Sequence, residues 1–390
     1  MFKLSEKELA DEMAGFTARE ISQQPNVWKE AVENVFQWKD DIHAFLSAIY
    51  TKHARLRVVF TGAGTSAFAG DILAPVLQKE NQANIQFEAI ATTDMVSNPA
   101  DYLFEEIPTI LVSFGRSGNS PESVAAVNLA SNIIKDFYQV IITCNPDGEL
   151  TENARHDENS LILQTPEQAH DQGFAMTSSF TSMMIVGYGA FTTSPFTGNS
   201  VTKIIAYAER LISTLADIVD EIIHMNMERI VYLGSGILSQ LSHEAALKML
   251  ELSAGKVVAV HESSLGFRHG PKSILNDQTL VVLFMSQDPY TRQYDLDILK
   301  ELSQENSKVV VLTESKDSEV VELADWALSV NGEGESLGND FYLAFLYIIF
   351  AQILALKKSI QLGITPDNPS PDGKVNRVVK GVTIYEYRNI

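Results

Sequence analysis

Two rhythms of apolar and polar positions divide the chain. Over residues 1–53, Val27, Trp28, Val32, Val35, Phe36, Ile42, Phe45, Leu46 and Ile49 recur at helical spacing. Ser5-Glu6-Lys7-Glu8 has the form of a capping box, which would open the first helix. These residues are expected to form a helical arm that packs on a core or on a second subunit. From residue 57 the rhythm changes. Short β-rich runs at Val58–Phe60, Ile110–Ser113 and Val140–Thr143 alternate with helical stretches near Thr65–Gln78 and Ser120–Phe137. The second half repeats the alternation. Strands are predicted at Ile230–Leu233, Val257–Val260, Leu280–Met285 and Val309–Leu312, with helices near Leu238–Leu252 and Tyr290–Gln304. Buried runs joined by helices predict an α/β fold with doubly wound parallel sheets.

The repetition has a register. Phe60-Thr61-Gly62-Ala63-Gly64 matches Tyr232-Leu233-Gly234-Ser235-Gly236 at an offset of 172 residues, and Val140–Thr143 matches Val310–Thr313 at 170. Two strand-and-turn matches at nearly one offset predict two related domains. The turn-rich TTSPFTGNS at 192–200 marks a junction, with a helix expected from about Val201. The expected division is an arm at 1–53, domains at 54–200 and 201–366, and a tail at 367–390.

Composition narrows the picture. The 390 residues are 45% apolar and 20% charged, enough for sizeable cores and two or three domains. A formal charge of −21 argues against nucleic acid or an anionic membrane as the main partner. A single cysteine, Cys144, leaves no intramolecular disulfide and fits a reducing cytoplasm. The N-terminal MFKLSEKELADEM has no apolar run of the signal-peptide kind. The longest apolar stretch, Phe341–Lys358, is interrupted by Gln352 and closes on two lysines. It is expected to be a buried helix, too short in apolar residues to span a membrane.

Two loops of the first half follow strands directly, where open α/β sheets place their ligands. One is Gly62-Ala63-Gly64-Thr65-Ser66. The other runs from Ser113 through Gly115, Arg116, Ser117, Gly118 and Asn119 to Ser120, with Pro121 at the first helical position. Glycine backbone, helix N-terminal amides and hydroxyls suit a phosphate, and Arg116 is placed either to add a cation or to pair with a surface carboxylate. A dinucleotide site is the competing reading, because Gly62-x-Gly64-x-x-Ala67 fits the relaxed fingerprint and Glu88 follows at the end of the next strand. Plain strand-to-helix turns are the third. The matching stretch of the second half, Met285–Arg292, lacks the glycine–serine texture. One composite site is therefore expected, with phosphate held by the first domain.

The second half concentrates acid–base groups. Glu244, Lys248 and Glu251 lie at i, i+4 and i+7 on one helix face. Such a face is either solvated or, so close behind the Gly234-Ser235-Gly236 turn, part of a site. His269 lies in the turn Gly266-Phe267-Arg268-His269-Gly270-Pro271, as an exposed residue or a catalyst. Carboxylates, a lysine, a histidine and a phosphate cradle fit proton transfer on a sugar phosphate. No zinc-protease helix, kinase-type phosphate loop or nucleophile elbow is present in the sequence.

GAGTS at 62–66, SFGRSGNSPES at 113–123, GFAMTSSFT at 173–181, GFRHGPKS at 266–273 and DNPSPDGKVNRVVKGVTIY at 367–385 resemble the sugar isomerase (SIS) domain superfamily. Within it, the resemblance is to the tagatose-6-phosphate ketose/aldose isomerase branch, also described as galactosamine-6-phosphate deaminase. It implies two tandem SIS domains, each with a five-stranded parallel sheet, usually assembled as a dimer or higher oligomer with a shared site. Similarity to the isomerase domain of glucosamine-6-phosphate synthase implies sugar-phosphate contacts from Ser66, Ser117, Ser120 and the Thr177–Ser179 loop, which includes Ser178. It implies Glu251 as the base moving a proton between the first two carbons, with Glu244 and Lys248 in support. His269 would open the sugar ring, from a neighbouring subunit, and Lys380 would reach the site from the tail. Gly115-Arg116 departs from that relative's Ser-Gln, Gly266 replaces an acidic residue, and the relative's glutamine-hydrolysing domain has no counterpart here. The expected activity is conversion of galactosamine 6-phosphate to tagatose 6-phosphate and ammonia, in the cytoplasm, without metal or redox cofactor. Direct ketose/aldose isomerisation and non-catalytic sensing of a sugar phosphate are the alternatives.

Overall fold

The computed structural model describes residues 1–81, 84–194, 196, 198–379 and 381–387. The chain forms two compact units. One gathers Met1–Pro25, Gln172–Thr177 and Thr197–Pro371; the other gathers Asn26–Asp171, Ser178–Phe196 and Asp372–Ile390. Each holds one five-stranded sheet.

In the second-named unit the strands are β1 (Leu56–Thr61), β2 (Ile85–Ala89), β3 (Thr109–Gly115), β4 (Phe137–Thr143) and β5 (Ser160–Gln164). They pair in parallel in the order β2-β1-β3-β4-β5. The other unit has β6 (Arg229–Gly234), β7 (Val258–Ser263), β8 (Thr279–Phe284), β9 (Lys308–Thr313) and β10 (Trp326–Ser329). Its order, read from the opposite edge, is β7-β6-β8-β9-β10, the same topology again. The duplicated α/β architecture anticipated from the repeat is present.

The repeat extends to single torsions. Gly64 has φ 56° and ψ −129°, and Gly236 has φ 57° and ψ −129°, a left-handed geometry that favours glycine. Each opens a 16-residue helix, Thr65–Glu80 and Ile237–Leu252. Gly62 and Gly234 serve a different need. A Cβ there would lie 2.6 Å from Ser66 Cβ or from the Leu238 carbonyl carbon, so only glycine lets strand and helix approach this closely.

Some elements depart from the sequence reading. The helix expected at Ser120–Phe137 ends at Ile133, because Phe137 pairs with Thr109 and opens β4. The helix expected from Val201 begins at Gly198 and runs to Ile223; Pro195 and Thr197 of the junction lie outside the described residues. β5 and β10, not anticipated, are edge strands whose residues are mostly half-buried, so they lack a continuous apolar run. The arm consists of helices Glu6–Asp11, Gly15–Ser22, Gln24–Gln37 and Lys39–Lys52, and the Ser5–Glu8 capping box forms. The helix Asp340–Gln361 is buried as expected, although its 22 residues are long and apolar enough to cross a membrane. Its enclosure, 94% of the apolar window, makes it the core of its unit rather than its length.

Candidate active-site residues

The strand order places a topological switch point between β1 and β3, where ligands of open α/β sheets bind. At the carboxyl ends of these strands Thr61 and Ser113 are register partners on adjacent strands. Both side chains continue the sheet face of Val59 and Leu111, which packs with Ala126 and Ala130 of the helix Pro121–Ile133. Both hydroxyls are buried and have no hydrogen-bond partner among the described residues. Leaving buried hydroxyls unpaired costs about 1–3 kcal/mol each, so this pair at the switch point is a candidate contact for a polar ligand. Thr61 escaped the sequence reading because it closes an apolar run.

The two predicted loops leave from these strands. Gly64 is exposed at the head of its helix, with Thr65 and Ser66 buried in the first turn. Thr143 Oγ1 donates to the Gly115 carbonyl at 2.8 Å, and Asn145 Nδ2 to the Ser117 carbonyl at 2.8 Å, so the end of β4 pins the second loop. Ser117 Oγ accepts from the Asn119 amide at 3.2 Å. Ser120 stands at the N-cap with Pro121 at the first helical position, as expected, and its hydroxyl makes no capping bond. Arg116 is buried, and its Nη2 donates to the carbonyl of Arg377 at 2.8 Å. Glu88 is ion-paired with Arg57 across β1 and β2, an arrangement that disfavours a role as ribose ligand in a dinucleotide site.

Ser178 is fully buried, and its hydroxyl donates to Asp171. Ser179 donates to the same carboxylate from its amide at 2.9 Å and its hydroxyl at 2.5 Å. Asp171, absent from the sequence reading, thus organises the start of the helix Ser178–Phe191 and engages hydroxyls expected on the phosphate. Thr177 is buried and groups with the other unit. Lys380 lies outside the described residues.

In the other unit the helix Ile237–Leu252 brings three ionisable groups together. Lys248 Nζ lies 3.3 Å from Glu244 Oε1 and 2.7 Å from Glu251 Oε2. The Lys248 and Glu244 side chains are fully buried, whereas Glu251 is 23% exposed. Burial alone would push the ammonium toward neutrality. The two carboxylates more than reverse this, so Lys248 is held above the ordinary lysine value. The face read as either solvated or functional is thus a buried charge cluster with one carboxylate open to solvent.

His269 follows the turn Gly266–Arg268 and is exposed. Among the described residues its ring joins no hydrogen bond or ion pair, so the structure does not tie it to the Lys248 cluster. A Cβ at Gly266 would stand 2.6 Å from Glu262 Oε1, the end of a flexible side chain. Arg268 and Lys272 beside it pair with Glu301. His243 and His261 stack with centroids 3.8 Å apart and planes at 16°. Burial, then the neighbouring His261, pulls His243 down to about 4.

The second switch point, between β6 and β8, is filled from within. Leu233 and Leu283 are register partners where the first sheet has Thr61 and Ser113. The fully buried Asp295 accepts from Ser235 Oγ at 2.6 Å, Ser264 Oγ at 2.5 Å and the Ser286 amide at 2.9 Å. Asp340 accepts from Ser286 Oγ at 2.6 Å and the Gln287 amide at 2.9 Å. Burial raises both carboxyls above the usual range despite these bonds. The chain supplies its own anions at this end.

The description of the SIS domain matches residues 51–193 and 222–360, one match over each sheet. The chain belongs to the SIS domain family. It is 44% identical over 388 residues to a D-galactosamine-6-phosphate deaminase, AgaS, of Shewanella sp. strain ANA-3, covering 98% of this chain and 95% of that one. It is 43% identical over 374 residues to the AgaS deaminase of Escherichia coli, covering 96% of each. A solved tagatose-6-phosphate ketose/aldose isomerase from Escherichia coli superimposes with a TM-score of 0.87 at 39% identity, covering 96% of this chain and 97% of that one. This SIS-domain chain therefore shares nearly its full length with enzymes that act on hexose phosphates.

Proposed function

We propose that this SIS-domain protein is a deaminating aldose–ketose isomerase that converts galactosamine 6-phosphate and water to tagatose 6-phosphate and ammonia. The observation that carries the reading is Glu251, a solvent-reaching carboxylate hydrogen-bonded at 2.7 Å to a buried, charged lysine. A carboxylate so held is oriented, as proton abstraction beside a carbonyl requires. In the open-chain sugar Glu251 takes the proton from the second carbon, forming an enolamine, and returns it to the first carbon. The resulting imine at the second carbon adds water and releases ammonia. Lys248 orients Glu251 and supplies positive charge; Glu244 keeps that lysine protonated. His269 serves ring opening; its exposure on a turn is consistent with action toward a neighbouring subunit of a cytoplasmic homodimer. Lys380 is assigned to the site by resemblance alone. Gly64, Thr65, Ser66, Ser113, Ser117, Ser120 and Thr177 are assigned to the sugar phosphate. The orphan hydroxyl of Ser113 and the glycine backbone of the two loops support that assignment.

Ammonia release from galactosamine 6-phosphate, glucosamine 6-phosphate and their N-acetyl forms tests the reading. Release is expected from galactosamine 6-phosphate. Interconversion of tagatose 6-phosphate with its aldose, without ammonia release from any amino sugar, would establish direct isomerisation instead. Glu251→Gln is expected to abolish turnover while sugar-phosphate binding stays within about twofold, since the lost group moves a proton rather than holding the ligand. Unchanged turnover would remove Glu251 as the base.

A further inference from the structure

We propose that Arg116 is a positioning residue that latches the C-terminal tail onto the anion loop, rather than a ligand of the phosphate. Arg116 occupies the loop after β3, where a cation would ordinarily be assigned to the substrate. Yet it is only 7% exposed and donates at 2.8 Å to the backbone carbonyl of Arg377, 261 residues away in sequence. Arg377 continues the connection: its own Nη2 donates to the backbone carbonyl of Asp171. The Asp171 carboxylate in turn holds the hydroxyls of Ser178 and Ser179 at the start of the helix Ser178–Phe191. Loop, tail and helix start are thus joined through two arginines and one aspartate. The tail stays beside the loop beyond this point, because Ile384 and Tyr385 line a cavity of about 730 Å³ together with Asn119 and Pro121.

A guanidinium bonded to a carbonyl at this burial is suited to fixing backbone, since a charge-assisted bond is stronger than a neutral one. The carbonyl it fixes lies three residues before Lys380. The latch therefore sets where the tail enters the loop, and it explains why a cation stands where the synthase relative has a neutral residue. The effect on turnover, though not the latch itself, rests on the proposed function.

The test combines hydrogen–deuterium exchange over 372–387, affinity for inorganic phosphate and steady-state kinetics on the full-length protein. Arg116→Gln is expected to speed exchange of the tail by about tenfold or more, the factor that loss of a charge-assisted hydrogen bond produces. Phosphate affinity should stay within about twofold, and kcat for galactosamine 6-phosphate should fall while KM holds, as expected for a lost positioning role. Arg116→Lys, which keeps a charged donor, should recover part of the protection. Arg377→Ala leaves Arg116 intact and removes the link to Asp171; it should loosen the tail in the same way and guards against a misfolded Arg116 variant. Unchanged tail exchange in both Arg116→Gln and Arg377→Ala would overturn the latch. A tenfold loss of phosphate affinity in Arg116→Gln would equally overturn it, by making Arg116 a ligand. If wild-type protein releases no ammonia, the proposed function fails while exchange and phosphate affinity still decide the latch.

Discussion

Replacing Lys248 with methionine keeps an unbranched side chain one atom shorter and removes the charge between two carboxylates. At an effective dielectric constant of about 20, an ion pair at the 3.3 Å of Lys248 and Glu244 is worth roughly 5 kcal/mol of gross attraction. Glu251 contributes less, because its side chain is 23% exposed and partly screened. Desolvation of the buried ions offsets much of the gross figure in the wild type. The substitution, however, leaves the Glu244 carboxylate buried without its cation, and breaking such a pair typically costs about 3–5 kcal/mol. The assay is urea unfolding of wild type and Lys248→Met between pH 5 and pH 8, with the slope compared to exclude a change in the unfolded state. The pH dependence has a definite sign. In the variant a stranded carboxylate binds its proton more tightly when folded than when unfolded, so the deficit grows as pH rises above the ordinary carboxylate range and shrinks toward pH 5. In the wild type the raised lysine contributes stability that is complete below the unfolded lysine value and lost only in strongly alkaline solution. Adding Glu244→Leu to Lys248→Met should recover most of the loss, because an apolar replacement needs no counterion. A deficit below about 1 kcal/mol at pH 8, or one independent of pH, would refute the assignment of Lys248 as a buried counterion.

Two further outcomes follow from the geometry. Thr61→Val with Ser113→Ala removes two unpaired hydroxyls, so stability without ligand should hold or rise by about 1 kcal/mol while phosphate affinity falls about tenfold or more; thermal unfolding with and without phosphate measures both, and unaltered affinity would dismiss the hydroxyl pair. His243 is held low by burial, so the folded state binds fewer protons than the unfolded chain between about 4 and the ordinary histidine value, and its contribution weakens as pH falls through that window. His243→Leu should therefore lose less stability than wild type between pH 6.5 and pH 5, and parallel curves would show that the pair does not govern acid lability.

What could be read from the chain follows from which physical constraints are local. Interior strands such as β1, β3 and β8 are buried along their whole length, so the apolar runs Val58–Phe60, Ile110–Ser113 and Leu280–Met285 mark them in the sequence. β10 is half-buried throughout and carries no such mark. The duplication was legible because Gly64 and Gly236 satisfy one backbone geometry that other residues rarely adopt. The Glu244, Lys248 and Glu251 cluster was legible because helical spacing alone brings these groups together. Asp171 was not, since nothing in its sequence neighbourhood announces that it will accept from Ser178 and Ser179 across a loop. Arg116 was noticed for its charge, but its partner is a backbone carbonyl, and a carbonyl has no signature in a sequence.

Asp295 is, in effect, a ligand that cannot dissociate. Its carboxylate is tethered to the chain that binds it, so it meets Ser235, Ser264 and the Ser286 amide without the translational entropy that a free phosphate must surrender. The hydroxyls of Thr61 and Ser113 have no such tethered companion. Under the proposed function, a chain that carries this fold twice is then expected to take one phosphate, at the first switch point. A phosphate titration of the protein should then follow a simple hyperbola with one site per chain.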